Sequence, residues 1–319
     1  MAVQFAVLAS GSRGNATFLG GGGAGLLIDL GLTQKGMAER LRAAGAGWDR
    51  VGAALLTHTH SDHVEPAALA ELARRGVSLH CHSGHRAVLA GCAGFQELER
   101  AGRVRPYDDE PFLTATGARV EPIRLAHDGG PTYGFRIEIR DSNRGPATRI
   151  GYLADTGCWT ASMVDRLVDV DLLAVEFNHD VELQRTADRP ARLIKRNLGD
   201  RGHLSNNQAG DLVRSVVERS RPGRPRDVVL LHLSEQCNTP ELALEAARAA
   251  AGPERHVHAA CQAGPHPCLR IEAATRTPQR SARPSIARRK SHRTTHSPFI
   301  TGLLFDHERP AEPTTVEIA

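Results

Sequence analysis

Aromatic residues are scarce in this chain, at 4% of 319 positions. A core must therefore rest on Leu, Val, Ala and Ile, and a hydrophobic fraction of 40% supplies them. No apolar run is long enough to span a bilayer, and no leader with a cleavage-like site opens the chain. A cytoplasmic protein with no membrane partner is expected. The six cysteines contain no CxxC pair, which excludes a zinc ribbon and points to reduced thiols, not a disulfide framework. Charge of one sign is also missing from most of the chain. The net charge is +4, but the residues from Ala274 onward hold eight Lys/Arg against four Asp/Glu, so the remainder is balanced. That balance excludes a globally basic nucleic-acid binder. The local patch of Arg189, Arg192, Lys195, Arg196 and Arg201 reads, on charge alone, as ordinary solvated surface.

What is present is concentrated at the ends of apolar runs. Val51 to Thr57 reads as a short buried strand, and His58-Thr59-His60-Ser61-Asp62-His63 follows it. Three imidazoles and a carboxylate within six positions are hard to explain as packing, and both groups are common ligands of zinc and similar divalent ions. His58 and His60, two apart in extended backbone, point the same way. Asp62 and His63 lie beyond the turn and can face a second point. The spacing suggests two adjacent metals.

The same logic recurs along the chain. Leu26 to Asp29 is a strand ending in a carboxylate, which is expected to brace the His loop and can also cap the next helix. The Ser10–Asn15 turn before it lacks the Lys and the following helix of a P-loop, and a plain hairpin turn competes with an anion-holding role. Arg119 to Leu125 leads into His127. Thr148 to Leu153 leads into Asp155, placed to serve two metals. Leu172 to Phe177 leads into Asn178-His179-Asp180. Gly202-His203-Leu204-Ser205-Asn206-Asn207 is expected to open a helix running to about Glu218, with Ser205 or Asn206 as cap and an anion-favouring N-terminus. Val228 to Leu231 leads into His232. His80, Cys81, His82 and His85 form a second histidine cluster without a partner carboxylate, and are expected to be structural.

Composition changes at Ala273, where Arg, Pro, Ser and Thr take over and periodicity ends. Residues 1–272 are expected to form one α/β domain, and 273–319 a basic, disordered tail. Phe299 to Phe305 within that tail has no explanation from pattern.

His58-Thr59-His60-Ser61-Asp62-His63 resembles the HxHxDH signature of the metallo-β-lactamase fold. Ala9–Asn15, Asn178-His179-Asp180, Gly202–Asn206, His232-Leu233-Ser234 and Asn238–Leu242 are similar to the YycJ/WalJ group of bacterial hydrolases. The segments around His203 and His232 are also similar to tRNase Z. Cys237 and Phe177 depart from the pattern, and the tail has no counterpart. The resemblance implies a four-layer αβ/βα sandwich with a dinuclear site at the sheet edge. It implies two divalent ions, Zn2+ or Mn2+, one on His58, His60 and His127, the other on Asp62, His63 and His232, bridged by Asp155. It implies a nuclease, a 5′→3′ exonuclease on double-stranded DNA, in which a hydroxide bridging the ions attacks phosphorus. Asp62 and His203 are then the catalytic candidates, and Ser205 and Asn206 the substrate contacts. A thioester or lactone hydrolase, or a small-molecule phosphodiesterase, would use the same ligands. A metal-free scaffold would not need them.

Overall fold

The structure is a computed structural model that describes residues 2–140 and 145–273. The expected basic tail with Phe299 to Phe305, and positions 141–144 of the polar turn before Ala147, lie outside the described residues.

Two seven-stranded sheets form the centre. The first contains β1 (Ala2–Ala9), β2 (Ala16–Gly20), β3 (Gly25–Ile28), β4 (Val51–Leu55), β5 (Ser78–His82) and β6 (Val104–Tyr107) in sequence order. The second contains β7 (Phe112–Leu113), β8 (Arg119–Leu125), β9 (Thr132–Arg140), β10 (Ala147–Leu153), β11 (Leu172–Glu176), β12 (Asp227–Leu231) and β13 (His256–Ala259). The last strand, β14 (Cys268–Glu272), returns to the first sheet beside β1. Residues 256–272 form the end of the described domain. They hold two strands in two sheets, because β14 pairs antiparallel with β1 across almost the whole chain length.

Helices cover the outer faces. α1 (Gln34–Ala43), α2 (Pro66–Arg75), α3 (Arg86–Leu89) and α4 (Ala93–Arg100) follow strands of the first sheet. α5 (Ala161–Leu167), α6 (Val181–Thr186), α7 (Ala191–Asn197), α8 (Asn206–Arg219) and α9 (Pro240–Ala251) follow strands of the second. Strand alternation divides the apolar residues among three cores. Ala6 and Leu8 face outward with Met37, Leu41, Leu69 and Leu72. Phe5 and Val7 face inward, against Phe135, Ile137, Ile150 and Tyr152 of the other sheet. Leu173, Val175, Val228 and Leu230 pack outward on Leu212, Val213 and Ala247. Three cores between four layers make the expected αβ/βα sandwich. Strands buried on both faces read as unbroken apolar runs, which is why β4, β11 and β12 were visible in the sequence.

Parallel pairing places several strand ends on one edge. β3, β4 and β5 are mutually parallel, as are β10, β11 and β12. Among the described residues no helix is long and apolar enough to cross a membrane.

Candidate metal centre

The C-terminal ends of β3, β4, β10 and β12 deliver Asp29, the His58–His63 loop, Asp155 and His232. Three of these residues have left-handed backbone, with φ of 62° at Asp29, 58° at Asp155 and 54° at His232. Such φ values cost a non-glycine residue about 1 kcal/mol or more and turn its side chain out of the strand's alternation. Here each turns a buried carboxylate or imidazole toward one point.

His58, His60 and His127 form a triangle, with ring centroids 4.7, 5.4 and 5.0 Å apart. The Asp155 carboxylate reaches it, Oδ2 lying 3.4 Å from His58 Nε2 and 3.9 Å from His127 Nε2. The same Oδ2 is 2.9 Å from His63 Nε2, and Oδ1 is 2.9 Å from His232 Nδ1. Asp62 completes the second group, its Oδ2 being 3.6 Å from His63 Nε2 and 3.5 Å from His232 Nε2. Within each group the potential ligand atoms lie within 4.8 Å of one another, and Asp155 belongs to both; a third group of the same kind joins Asp155 and His232 to Glu176 and His203.

Whether these groups fit ions is tested by their unsatisfied atoms. The Nε2 atoms of His58, His127 and His232 are buried, with no hydrogen-bond partner among the described residues. Buried polar atoms are rarely left so. The opposite ring nitrogens are fixed. Nδ1 of His127 donates to the Gly202 carbonyl at 2.9 Å, and Nδ1 of His58 lies 3.0 Å from the Thr57 hydroxyl. Holding one nitrogen and presenting the other is how proteins orient metal-binding imidazoles. The residues fit two divalent cations.

Charge says the same. Burial, and next the neighbouring His63, hold the His58 pKa well below the ordinary imidazole value. Burial lowers His127 as well. These rings are therefore neutral, as a ligand must be. Burial works against the charge on Asp155, but His232 and His63 outweigh it and hold the carboxyl well below its usual range.

Asp29 braces the loop as expected. Its carboxylate accepts from the Thr57 amide at 2.8 Å, from the Thr57 hydroxyl, and from His63 Nδ1 at 2.8 Å. The cap of α1 is Thr33 instead. The Ser10–Asn15 turn is more than a hairpin, since Asn15 Nδ2 lies 2.9 Å from His63 Nε2 and 3.2 Å from Asp62 Oδ2. Gly129 follows from the crowding. A Cβ there would stand 2.6 Å from His58 Cδ2 and 3.0 Å from the His60 ring.

His203 stands beside the second group, its Nδ1 2.7 Å from Glu176 Oε1. It precedes α8 and does not open it. The helix begins at Asn206, with Ser205 as cap. Of the two expected caps, Ser205 is the one used. The Ser205 hydroxyl is spent on a capping box with Gln208, and buried Asn206 exchanges two 2.9 Å hydrogen bonds with Asn238. Both side chains hold the fold, and neither lines the adjoining cavity. Phe177 and Cys237, the departures from the family pattern, are both buried.

Sequence reasoning missed Glu176. Its Oε1 also lies 3.0 Å from His232 Nδ1, and its Oε2 accepts from the amides of Thr156 and Leu204. One buried carboxylate thus joins three loops of the site. Burial opposes its charge, yet His203 and its hydrogen bonds lower the pKa to about 2. The signal was available, because Leu172–Glu176 ends in an acid as do Leu26–Asp29 and Gly151–Asp155. Asp128 and Arg196 were missed as a pair. Arg196 grips Asp128 bidentately, and Asp128 Oδ1 is 3.5 Å from His127 Nε2 and 3.8 Å from His60 Nε2. The patch read as ordinary surface therefore borders the site. A cavity of about 330 Å3 adjoins it, lined in part by Arg189, Arg196, His203, His232 and Ser234.

Comparison with known proteins agrees with this geometry. Residues 26–233 match the β-lactamase superfamily domain. Exodeoxyribonuclease WalJ of Streptococcus pneumoniae serotype 2 is 28% identical over 241 residues, 75% of this chain and 85% of that protein. Exodeoxyribonuclease YycJ of Bacillus anthracis is 28% identical over 250 residues, 76% and 87% of the two chains. In structure, the metallo-β-lactamase fold protein YhfI from Bacillus subtilis superposes with a TM-score of 0.58 at 17% identity, over 82% of this chain and 98% of that one.

Proposed function

Because the chain belongs to the β-lactamase superfamily, with the fold and ligand groups of a metal-dependent hydrolase, we propose that it is a nuclease. Its substrate in this reading is double-stranded DNA, degraded 5′→3′ in the cytoplasm. Two divalent ions, zinc or manganese, would be held by His58, His60, His127 and Asp155 and by Asp62, His63, His232 and Asp155. When bound, they supply Lewis-acid stabilisation of phosphoryl oxygens and a water of lowered pKa.

The chain's own residues supply the rest. Asp62 is 19% exposed, the least buried of these carboxylates, and is the acceptor for the proton of the attacking water. His203 is the observation that carries the reading. The seven ligands above do not include it. Its Nδ1 is committed to Glu176, which leaves Nε2 for the cavity that the residue lines. There it either donates a hydrogen bond to a phosphoryl oxygen or protonates the leaving oxygen. Arg189 and Arg196 line the same cavity, so a developing negative charge meets cations. An exodeoxyribonuclease name on two relatives supports DNA as the polymer.

The test is His203→Ala in metal-loaded protein. Metal content should hold while cleavage of 5′-labelled duplex DNA falls by about 10²–10⁴-fold. If proton donation is the role, the defect shrinks on bis-p-nitrophenyl phosphate, whose leaving group needs no proton. Contact with phosphate predicts an equal defect on both. Wild-type turnover of a thioester without turnover of DNA or RNA would overturn the nuclease reading and leave the metal site standing. Blocking 5′ or 3′ ends in turn tests polarity.

A further inference from the structure

We propose that α7 is a phosphate rail along which a polynucleotide backbone lies, with Arg192 and Lys195 holding phosphates next to the one being cut. The inference rests on the nuclease reading and adds where the rest of the substrate goes.

The domain as a whole is charge-balanced, yet residues 188–201 hold Arg189, Arg192, Lys195, Arg196 and Arg201 against Asp188 and Asp200. The helix aligns them. Arg192, Lys195 and Arg196 stand at i, i+3 and i+4 and so share one face. That face opens on a second cavity, of about 470 Å3, lined by those three residues with Asp128, Gly199, Asp200 and Arg201. Arg196 lines both this cavity and the one containing His203. The first cavity meets the metal centre at His203 and His232. The second meets it through Asp128, beside His60 and His127. The helix thus runs past the site from one cavity to the other, on a path that a strand leading away from the cut bond can follow.

The cations on this face are not equivalent. Arg196 is held by Asp128, and Arg201 donates to the His127 carbonyl. These two fix the helix and the following loop to the metal centre. Arg192 and Lys195 are exposed and, among the described residues, have no ion pair or hydrogen bond. Unpaired cations on a ridge otherwise anchored to the site can take up phosphates without giving up an internal bond. A compact phosphodiester reaching only the metal centre would not meet them. A polymer would, and contacts of this kind are sequence-independent and salt-dependent.

The experiment compares wild type, Arg192→Ala/Lys195→Ala and the charge-keeping Arg192→Lys/Lys195→Arg, all metal-loaded. Affinity for labelled duplex DNA is followed through a salt titration, with KM and kcat on that DNA and turnover of bis-p-nitrophenyl phosphate. Each lost phosphate contact lowers the salt slope by about 0.9. The expected result for the double alanine variant is a shallower slope and a raised KM on DNA, a smaller loss on the nitrophenyl ester, and recovery of the slope in the charge-keeping variant. If wild type cuts DNA and the alanine variant matches it in slope and KM, the rail is wrong and the nuclease reading survives. If wild type hydrolyses the ester but neither binds nor cuts duplex DNA, the nuclease reading falls and the rail with it.

Discussion

Two histidine clusters sit at the ends of adjacent parallel strands, and they have opposite fates. The cluster after β4 presents His58, His60 and His63. The cluster at the end of β5 presents His80, His82 and His85 just beyond it. In the second, every ring is satisfied by protein. His80 Nε2 accepts from the Ala115 amide at 3.1 Å. His82 Nδ1 accepts from the Gly84 amide at 3.0 Å, and its Nε2 meets the Tyr133 hydroxyl at 3.1 Å. His85 Nδ1 accepts from the His82 amide, and its Nε2 donates to the Pro131 carbonyl at 2.7 Å. In the first cluster, His58 Nε2 is buried with no hydrogen-bond partner among the described residues, and it faces Asp155, the carboxylate that His63 also meets. A count of histidines does not separate the two clusters. What separates them is a buried carboxylate delivered by another strand end, since Asp108, which lies 3.8 Å from His82 Nε2, is exposed while Asp155 is buried.

The largest effect that tests this contrast is on metal content. His58→Ala/His60→Ala should lose bound metal and all hydrolysis, while His80→Ala/His85→Ala keeps the metal by elemental analysis. The second variant instead loses stability, about 1–3 kcal/mol for each buried partner left unpaired, read from urea midpoints. Full metal content in the first variant, or metal loss in the second, would break the comparison. Asp155→Ala comes next. It removes the carboxylate common to both ligand groups, so activity should fall at least about 10²-fold while far-UV circular dichroism persists. Activity within a few-fold of wild type would end its bridging role.

The clusters also differ in the sign of their pH dependence in metal-free protein. Burial holds His80 and His85 at pKa values of about 4, below the unfolded imidazole. Their contribution is complete above pH about 6.5 and is lost as pH falls toward 4, by at most about 1.4 kcal/mol per pH unit for each group. His63 is the reverse. Burial opposes its charge, but Asp155 and Asp29 outweigh it and push the pKa up to about 10. Its contribution is complete below pH about 6.5 and is lost as pH rises through about 10. So the destabilisation caused by His85→Ala should shrink between pH 7 and pH 5. Removing Asp29 with Asp29→Asn should cost most near pH 7 and progressively less toward pH 10. Equal penalties at all pH values would mean that neither ring is held in the charge state described.

Most of the ligand set was legible in the sequence, for a physical reason. A strand buried on both faces ends where its apolar run ends, so a polar residue at that boundary sits at the sheet edge where such sites form. Asp29, Asp155, His127 and His232 could be found in that way. Glu176 obeys the same rule and was passed over because Phe177 extends the apolar run beyond it. Ser205 was legible as a cap, but a cap and a phosphate contact call for the same residue types, and only the structure shows that its hydroxyl is engaged with Gln208 and that Asn206 is paired with Asn238. The Arg196–Asp128 pair could not be seen, since its partners are 68 residues apart and nothing periodic connects them.

Gly129→Ala is a smaller and more local probe. The added methyl would press on His58 and His60, whose rings are held by the site, and on nothing in the second cluster. Metal affinity and kcat should fall while the melting temperature changes little. A lowered melting temperature with unchanged metal affinity would show that the glycine serves the loop alone.

The smallest effect expected is from deleting everything after Ala273. That segment carries His292, His296 and His307, so it adds to the histidine count. In the sequence His292 and His296 follow no apolar run, and His307, though flanked by Asp306 and Glu308, has no second histidine close to it. If setting and not number makes a metal site, truncation leaves the metal stoichiometry unchanged. The melting temperature should also hold, because no periodic apolar face is lost from the sequence with that segment. The basic run Arg288-Arg289-Lys290 with Arg283 and Arg293 gives the one expected change, a modest loss of DNA affinity that disappears at high salt. A drop in metal content on truncation would place a third ion on the tail histidines and undo the rule drawn from the two clusters. A collapse of folding would show instead that Phe299 to Phe305 docks on the domain.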